Sequence, residues 1–300
     1  MSVYKMISKI KNKIKRELLN NPNSYNADLF NNEDTNSEIK KAILNEQPLF
    51  VSRIGSVELS ALNNYYKKKK WTSAIRKTME NNAGFFPATD ENLNRFCQIY
   101  NRDISTIDML GIWYNDGEHD IYNKYNFNRK VTELRNLEPY YALNPWSAAL
   151  KGKKVLVIHP FAQTIQQQYK NHKKIFENPN VLPEFNLITM KAVQTISNAQ
   201  TEFKNWFEAL EYMKKQINSI DFDVAIIGAG AYGLPLGAHI KQKNKVAIHL
   251  GGATQILFGI KGSRWDNHPV ISQFYNSYWS RPSDEEKPEG FKKVEKGCYW

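Results

Sequence analysis

The stretch AIIGAGAYGLPLGAHI, from Ala225 to Ile240, decides the fold. Its apolar start predicts a buried strand, and Gly228, Gly230 and Gly233 then match the pattern G-x-G-x-x-G before a helical segment. Glycine lets a backbone turn tightly and approach a phosphate, and the free N–H groups at a helix start attract negative charge. The stretch therefore predicts a turn that binds a phosphate-bearing ligand. The alternative is that the glycines serve only helix–sheet packing.

Strands and helices alternate on both sides of this stretch. The predicted strands lie in the segments GKKVLVIHPF, FNLITMKAV, DFDVAIIG and KVAIHLG. Upstream, LFVSRIG predicts a strand that ends at Gly55, before a helix whose first turn carries Glu58. The middle region, Trp71 to Tyr141, has weak periodicity and predicts helices and loops. We expect an α/β fold with a Rossmann-like, mostly parallel sheet and flanking helices, whose ligand lies beyond the carboxyl ends of the strands.

The chain divides into two expected parts. Residues 1–36 predict a basic amphipathic helix followed by a polar, Asn-rich connector, and residues 37–300 predict one domain. Within residues 1–20, apolar residues recur at helical spacing while lysines occupy the other face. Such a helix lies on an anionic membrane surface, packs on the domain or is a frayed terminal arm. The segment RPSDEEKPEGFKKVEKG, residues 281–297, is expected to be a charged tail.

Composition limits the classes of partner. The 300 residues carry a formal net charge of +11, which favours anionic partners such as nucleotides or phospholipid headgroups. Nucleic acid is not expected, because Lys67–Lys70 with Trp71 is the only basic-aromatic cluster outside the N-terminal segment. Two cysteines form no disulfide framework, and no segment is apolar enough to span a bilayer. We expect a cytoplasmic protein that reaches the inner face of the membrane, if at all, through its N-terminal helix.

The glycine pattern alone would suit a nicotinamide-dependent oxidoreductase. A dinucleotide site also needs an acidic residue about 20 residues further on, at the end of the next strand, to bind the ribose. That strand, KVAIHLGG, ends in His249 and Leu250 instead. An NAD-dependent enzyme that acts on a nucleotide sugar therefore stays only an alternative.

A second glycine corner follows this strand. The segment HLGGATQILFGIKGSRWDN combines Gly251 and Gly252 with an amide, two cations and an indole ring. Backbone N–H groups and cations bind phosphate, and an aromatic ring stacks on planar groups. The alternatives are that Trp265 belongs to the core, and that Lys261 and Arg264 lie on a solvated face.

These segments resemble the bacterial glycosyltransferases of the GT-D type, in the branch found with capsule and cell-surface polysaccharide genes. The resemblance rests on RIGSVE at residues 53–58, on VLVIHPFAQTIQQQY, on DFDVAIIGAGAYGLPLGAHIK and on VAIHLGGATQILFGIKGSRW, and it covers roughly residues 48–300. It implies a Rossmann-like fold that transfers a sugar from a nucleoside diphosphate donor, with a UDP-sugar expected, to a glycan or lipid-linked acceptor.

The resemblance also raises the question of a metal. The family carries Arg-x-Gly-Asp-x-Glu, whose two carboxylates hold a divalent cation, whereas this chain has Ser56 in place of the first carboxylate. Mn²⁺ or Mg²⁺ dependence is thus in doubt. Glu58 alone could hold a metal, act as a general base or be structural. Glu118, in the segment YNDGEHDIYNKY, is read as part of an exposed acidic turn.

The expected site residues come from these strand ends. His159 could donate to a phosphate oxygen or act as a base, because imidazole titrates near physiological pH. The predicted catalytic residues are Glu58, which is also the predicted metal ligand, and His159. The predicted donor-binding residues are Arg53, Gly55, Gly230, Ala231, Tyr232, Gly233, His249, Gly251, Gly252, Gln255, Lys261 and Arg264. Because Ser56 breaks the carboxylate pair, a catalytically idle subunit that binds nucleotide sugars is a further alternative.

Overall fold

A computed structural model describes residues 22–126, 130–196, 201–288, 290–293 and 297–300. The predicted basic helix at residues 1–20 lies outside these ranges. The expected connector that follows it is described from residue 22 onward. No helix within the described ranges is long and apolar enough to cross a membrane.

Eight strands form one sheet in the order β1-β4-β3-β2-β8-β7-β5-β6, and every pairing is parallel. The strands are β1 Asp28–Phe30, β2 Leu49–Ser52, β3 Met109–Ile112, β4 Lys130–Glu133, β5 Lys154–His159, β6 Asn186–Lys191, β7 Val224–Ile227 and β8 Val246–His249. The strands β2, β3, β7 and β8 are buried along their whole length, as expected of a parallel sheet covered on both faces. The predicted α/β fold with a parallel sheet is confirmed.

Ten α-helices connect these strands in the described ranges. They are α1 Asn32–Leu44, α2 Ser56–Tyr66, α3 Ser73–Ala83, α4 Asp90–Ile104, α5 Glu118–Tyr125, α6 Ala162–Tyr169, α7 His172–Ile175, α8 Trp206–Asn218, α9 Gly233–Gln242 and α10 Ala253–Leu257. The predicted corner from LFVSRIG to Glu58 is present as β2, the loop 53–55 and α2.

Two apolar clusters cover the two faces of the sheet, because alternate side chains of each strand point to opposite faces. The first layer contains the buried sides of α2, α3, α4, α5, α8 and α9. The second layer contains those of α1, α6, α7 and α10, together with apolar residues from the C-terminal segment 258–300. The ends of the strands therefore open between two layers of different composition.

The predicted helices and loops of the middle region are accompanied by two further strands, β3 and β4. Both are only four residues long, which is too short for a periodic signal. The predicted boundary after residue 36 falls inside α1, and β1 pairs with β4 at the edge of the sheet. Residues 28–36 thus belong to the domain and are not a connector.

The C-terminal segment is not a free charged tail. Glu286 is buried, and its carboxylate accepts hydrogen bonds from the backbone N–H groups of Gln163 (2.8 Å) and Thr164 (3.1 Å). These groups belong to the first turn of α6, where helix N–H groups have no partner within the helix. Glu286 therefore fastens the C-terminal segment to the sheet domain.

Candidate functional site

A cavity of about 360 Å³ opens at the carboxyl ends of β2, β8, β7, β5 and β6. Residues from both layers line it, so that it lies across the edge of the sheet and not on one face. This is the position at which parallel α/β sheets bind ligands. The turns that leave adjacent strands meet in one place, as the sequence predicted.

Eleven of the fourteen predicted site residues line this cavity. They are Arg53, Gly55, Glu58, His159, Gly230, Tyr232, His249, Gly251, Gly252, Gln255 and Arg264. The structure does not place Ala231, Gly233 or Lys261 in the lining.

Each of the three exceptions has a physical reason. A Cβ at Gly233 would lie 2.2 Å from Nε2 of His249, so this glycine makes room for an imidazole ring and not for a phosphate. Ala231 is buried, and its carbonyl accepts a hydrogen bond from the Tyr100 hydroxyl (2.6 Å). Lys261 points toward Tyr275, with its Nζ 5.1 Å from the ring centroid.

Gly228 stands where three strand ends meet. A Cβ there would lie 2.5 Å from Cδ2 of His159, 2.7 Å from the carbonyl oxygen of Gly251 and 2.9 Å from Oγ1 of Thr254. No side chain fits this space. The turn after β7 can therefore approach the turns after β5 and β8 only because the residue is glycine.

Arg53 carries positive charge into the cavity. Its guanidinium lies over the Trp113 ring, 4.2 Å from the centroid, and a Cβ on Gly251 would lie 3.3 Å from its nearer terminal nitrogen. The indole of Trp113 is held in turn by a hydrogen bond from Nε1 to the Ile54 carbonyl (3.0 Å). Within the described residues Arg53 forms no ion pair with a carboxylate, so its charge is available to an anion.

Glu58 folds back onto the start of α2. A Cβ on Gly55 would lie 1.9 Å from its Oε2, and the side chain is 8% exposed. Burial raises the pKa of this carboxyl, while its own backbone N–H and the charge of Arg53 act in the opposite direction. A raised pKa makes Glu58 a stronger proton acceptor than an exposed glutamate.

The two histidines are buried and neutral. Burial lowers the pKa of His159 to about 3, and burial together with the nearby Arg53 lowers that of His249 to about 3. The backbone N–H of Phe161 donates to Nδ1 of His159 (2.9 Å), so the proton of the neutral ring is on Nε2. His159 can therefore donate a hydrogen bond, whereas the predicted role as a base does not suit its geometry.

The loop after β5 differs from the prediction not only in the role of His159 but also in the start of α6. Because Glu286 accepts the first N–H groups of α6, this helix start is closed to a ligand anion. The glycines of the turns after β7 and β8, by contrast, line the cavity. Gly230 and Gly252 stand at the starts of the helical turns there, where amide groups lack an intrahelical partner.

The expected acidic turn around Glu118 is also corrected. Glu118 is fully buried at the start of α5, where it accepts hydrogen bonds from the Tyr25 hydroxyl (2.6 Å) and the Tyr114 backbone N–H (3.0 Å). It does not line the cavity and does not replace the carboxylate lost at Ser56. Its role is to hold the loop that carries Trp113.

A family model described as a GT-D fold-like domain matches residues 30–257, which include β2 to β8 and the last residue of β1. The chain belongs to this GT-D-like family. The match contains ten of the eleven predicted residues that line the cavity. Arg264 lies beyond it, in the C-terminal segment.

Two solved structures are similar to the GT-D-like chain in fold. One, described as the selenomethionine-substituted structure of domain of unknown function 1792, is 11% identical with a TM-score of 0.47, and the alignment covers 91% of this chain and 96% of that chain. The other is described as showing that the highly conserved domain of unknown function 1792 has a distinct glycosyltransferase fold. It is 11% identical with a TM-score of 0.46, over 88% of this chain and 94% of that chain. Among curated proteins none matches.

Sequence reasoning missed several residues that line the cavity. They are Asn82, Ala83, Gly84, Tyr100, Trp113, Val193, Gln194, Thr195, Ile196, Tyr299 and Trp300. Five of them lie in the middle region, and four follow β6, where no motif marks the strand end. Tyr299 and Trp300 give the sequence an aromatic end, but nothing in the sequence indicates that this segment folds back to the strand ends.

Proposed function

We propose that the protein is a glycosyltransferase that moves a sugar from a nucleoside diphosphate donor to a glycan or lipid-linked acceptor in surface polysaccharide synthesis. Membership in the GT-D-like family supports this reaction class. The observation that carries the proposal is the single cavity in which Arg53, Glu58 and the glycine turns after β7 and β8 meet.

The diphosphate is assigned to the region between Arg53 and Gly251. The Arg53 guanidinium supplies charge, and Gly230 and Gly252 supply backbone N–H groups at helical turn starts. The Nε2–H of His159 is a further neutral donor. Donors held in place before the reaction stabilise the negative charge that develops on the leaving diphosphate.

In the transfer, an acceptor hydroxyl oxygen forms a bond to the anomeric carbon of the donor sugar. The bond between that carbon and the diphosphate oxygen breaks, and the nucleoside diphosphate leaves with the electron pair. The hydroxyl proton passes to Glu58, the only carboxylate among the described residues that line the cavity. Its raised pKa suits this role as general base.

The residues present do not fit a metal ion held by the protein. The described residues contain no group of three or more His, Cys, Asp and Glu side chains that could hold one. At the cavity Ser56 stands where the family has its first carboxylate, so Glu58 is the only carboxylate among the described residues that line it. No step of the proposed transfer is therefore assigned to a metal.

The test is calorimetry of the purified protein with a panel of nucleotide sugars, UDP-sugars first, with and without Mn²⁺. We expect one donor class to bind, and Arg53→Ala to weaken its binding by about tenfold or more, in line with the loss of a charge-assisted contact. Arg95→Ala, which removes an exposed arginine that stacks on Phe207 away from the cavity, is the control. Absence of binding by every nucleotide sugar and every free nucleoside diphosphate would contradict the proposal.

An idle sugar-nucleotide-binding subunit is the second candidate, because Ser56 lines the cavity where the family has a carboxylate. Hydrolysis or transfer of the bound donor distinguishes the two. Binding without turnover, together with Mn²⁺-dependent turnover in Ser56→Asp, would favour the idle subunit. Turnover by the unaltered protein would exclude it.

A further inference from the structure

The second-layer wall of the cavity is aromatic and cationic. Tyr299 stands against the turn after β8, with its Cε1 3.0 Å from where a Cβ on Gly252 would be. The Arg264 guanidinium lies over the Tyr299 ring, 4.7 Å from the centroid, and 5.8 Å from the centroid of Trp265. Tyr299 is only half-buried, so its ring is accessible from the cavity. We name Arg264 and Tyr299 the stacking wall.

The stacking wall is held firmly in place. Gln255 is fully buried, and its Nε2 donates to the carbonyl oxygens of Lys261 and Tyr299, each at 2.8 Å. The backbone N–H of Arg264 donates to the Cys298 carbonyl (3.0 Å). These bonds join the two chain segments of the wall to each other and to α10, so a ligand does not have to order them.

The first-layer wall is different in chemistry. It carries the Glu58 carboxylate and the polar side chains of Asn82, Gln194 and Thr195. The rings of Tyr100 and Tyr232 also belong to it but are almost fully buried. The polar side chains match the hydroxyls of a sugar, because a buried hydroxyl needs a hydrogen-bond partner. Arg53 and Gly251 lie at the strand ends between the two walls.

We propose that the stacking wall binds the nucleobase of the donor. The diphosphate then lies across the strand ends at Arg53 and Gly251, and the sugar extends to the first-layer wall beside Glu58. This inference rests on the proposed glycosyltransferase function. It adds an orientation of the donor and assigns base binding to residues beyond 257, outside the family match.

The chemistry of the two walls decides this orientation. A nucleobase is planar, and its faces stack on aromatic rings and on guanidinium groups. The stacking wall offers both, directly beside the Gly252 turn. The opposite orientation would place the base beside the Glu58 carboxylate and against the rings of Tyr100 and Tyr232. Both rings are almost fully buried, and Tyr232 already stacks on Trp206.

The experiment compares two kinds of probe by calorimetry. The first is the tightest binder among UDP, GDP, ADP and CDP, and the second is inorganic pyrophosphate, which lacks a base. The variants are Tyr299→Leu and Arg264→Ala, with Tyr299→Phe as the conservative variant that keeps a ring. Arg53→Ala is the control for the diphosphate, and Arg95→Ala is the control for loss of an arginine–aromatic pair elsewhere. A thermal unfolding curve checks that each variant is folded.

We expect Tyr299→Leu and Arg264→Ala to raise the Kd of the nucleoside diphosphate by on the order of tenfold, since base stacking contributes strongly to such binding. Pyrophosphate binding should change little, because pyrophosphate has no base to stack. Tyr299→Phe, which keeps the ring but loses the hydroxyl contact to Arg264, should lose less affinity than Tyr299→Leu. Arg53→Ala should weaken both probes.

Two results would overturn the inference and leave the proposed function standing. One is an unchanged nucleoside diphosphate Kd in Tyr299→Leu, and the other is an equal loss of both probes. If none of the four nucleoside diphosphates binds the unaltered protein, the proposed function fails and the inference fails with it. The outcomes of the two proposals are thus distinguishable.

Discussion

Two glycines after β7 are required because a single added carbon atom would not fit at either position. Gly228 and Gly233 each occupy a position where a methyl group would collide with a buried histidine ring, His159 in the first case and His249 in the second. The Ser52 hydroxyl lies 3.0 Å from Nδ1 of His249 and fixes the orientation of that ring. The turn after β7 is therefore shaped by the imidazole rings that pack against it.

Gly233→Ala tests this packing. The new Cβ would overlap the His249 ring, so we expect the free energy of unfolding to fall by about 1–3 kcal/mol, the usual effect of overpacking a core. Urea denaturation measures it. In the His249→Ala background the same substitution should have little effect, because the ring is gone. Equal losses in both backgrounds would show that another contact is responsible.

Glu58→Gln tests the assignment of the general base. The amide keeps the shape of the side chain but cannot accept a proton, so kcat should fall by about 10²–10⁴, the range for loss of a general base. The Kd of the donor should change little. A steady-state assay of transfer, paired with calorimetry, measures both. An unchanged kcat would assign the side chain to a structural role at the start of α2.

Glu118 makes stability depend on pH. Burial raises the pKa of its carboxyl from 4.5 to about 7, although four hydrogen-bond donors act in the opposite direction, and its Oε1 has no hydrogen-bond partner. Between these two pH values the folded state binds more protons than the unfolded state. Raising the pH through this window therefore lowers the free energy of unfolding.

Glu118→Gln should remove this dependence. Urea denaturation at pH 5 and pH 8 should show a smaller loss of stability in the variant, by on the order of 1–3 kcal/mol. Glu177→Gln, at an exposed position, is the matched control. If the variant loses as much stability between the two pH values as the unaltered protein, the carboxylate is not the group that titrates.

At the scale of elements, α6 is capped by a residue more than a hundred positions away in the chain. Besides the two backbone N–H groups, the Thr164 hydroxyl donates to Glu286, and the Ser283 backbone N–H donates to that hydroxyl (3.0 Å). A carboxylate at a helix N-terminus also interacts favourably with the helix dipole. This cap fixes the C-terminal segment that also contains Tyr299 of the stacking wall.

Glu286→Ala should free this segment. We expect a loss of about 1–2 kcal/mol in stability, comparable to the loss of an N-cap, and faster proteolytic cleavage within residues 281–293. Glu285→Ala is the matched control, since this neighbour is exposed and its carboxylate lies 3.4 Å from the Gln163 side-chain nitrogen. Identical cleavage rates in the two variants would contradict a role of Glu286 in fastening the segment.

The elements differ in how far sequence predicts them. The strand segments around β5, β7 and β8 are β-branched runs between turn signals, and the structure contains each of them. β3 and β4 escape prediction, because MLGI and KVTE are four-residue strands whose partners are distant in sequence. The glycine-rich strand ends also predict most of the residues that line the cavity at the ends of β5, β7 and β8. The side walls of the cavity, such as Asn82, Gln194 and Tyr299, were not predicted. They belong to segments that carry no motif and that meet only when the two layers pack on the sheet.

The whole molecule is basic, and five of its lysines lie within residues 1–20. We propose that this segment binds an anionic membrane surface at which a lipid-linked acceptor is reached. The described chain starts beside α5, where the Asn123 side chain donates to the Ser24 carbonyl (2.8 Å). The exposed Lys67–Lys70 follow the neighbouring α2, whose Tyr66 ring lies 4.1 Å from Nζ of Lys124.

Deletion of residues 1–20 should abolish co-sedimentation with vesicles that contain phosphatidylglycerol, because the basic amphipathic segment supplies the attraction to anionic lipid. Neutral phosphatidylcholine vesicles are the control for both proteins. Replacement of Lys67–Lys70 by alanine separates the contribution of the folded domain. Binding that survives the deletion would show that the N-terminal segment is not the membrane contact.

The order of the strands has a consequence for synthesis of the chain. β2 pairs with β8 in the middle of the sheet, with Leu49 opposite Val246, so the two partners are made roughly 200 residues apart. At about 5–20 residues per second, a ribosome needs roughly 10–40 s between them. During that interval β2 presents an unpaired apolar edge, the kind that recruits other strands. We therefore expect the nascent polypeptide to be most prone to aggregation before β8 emerges from the exit tunnel.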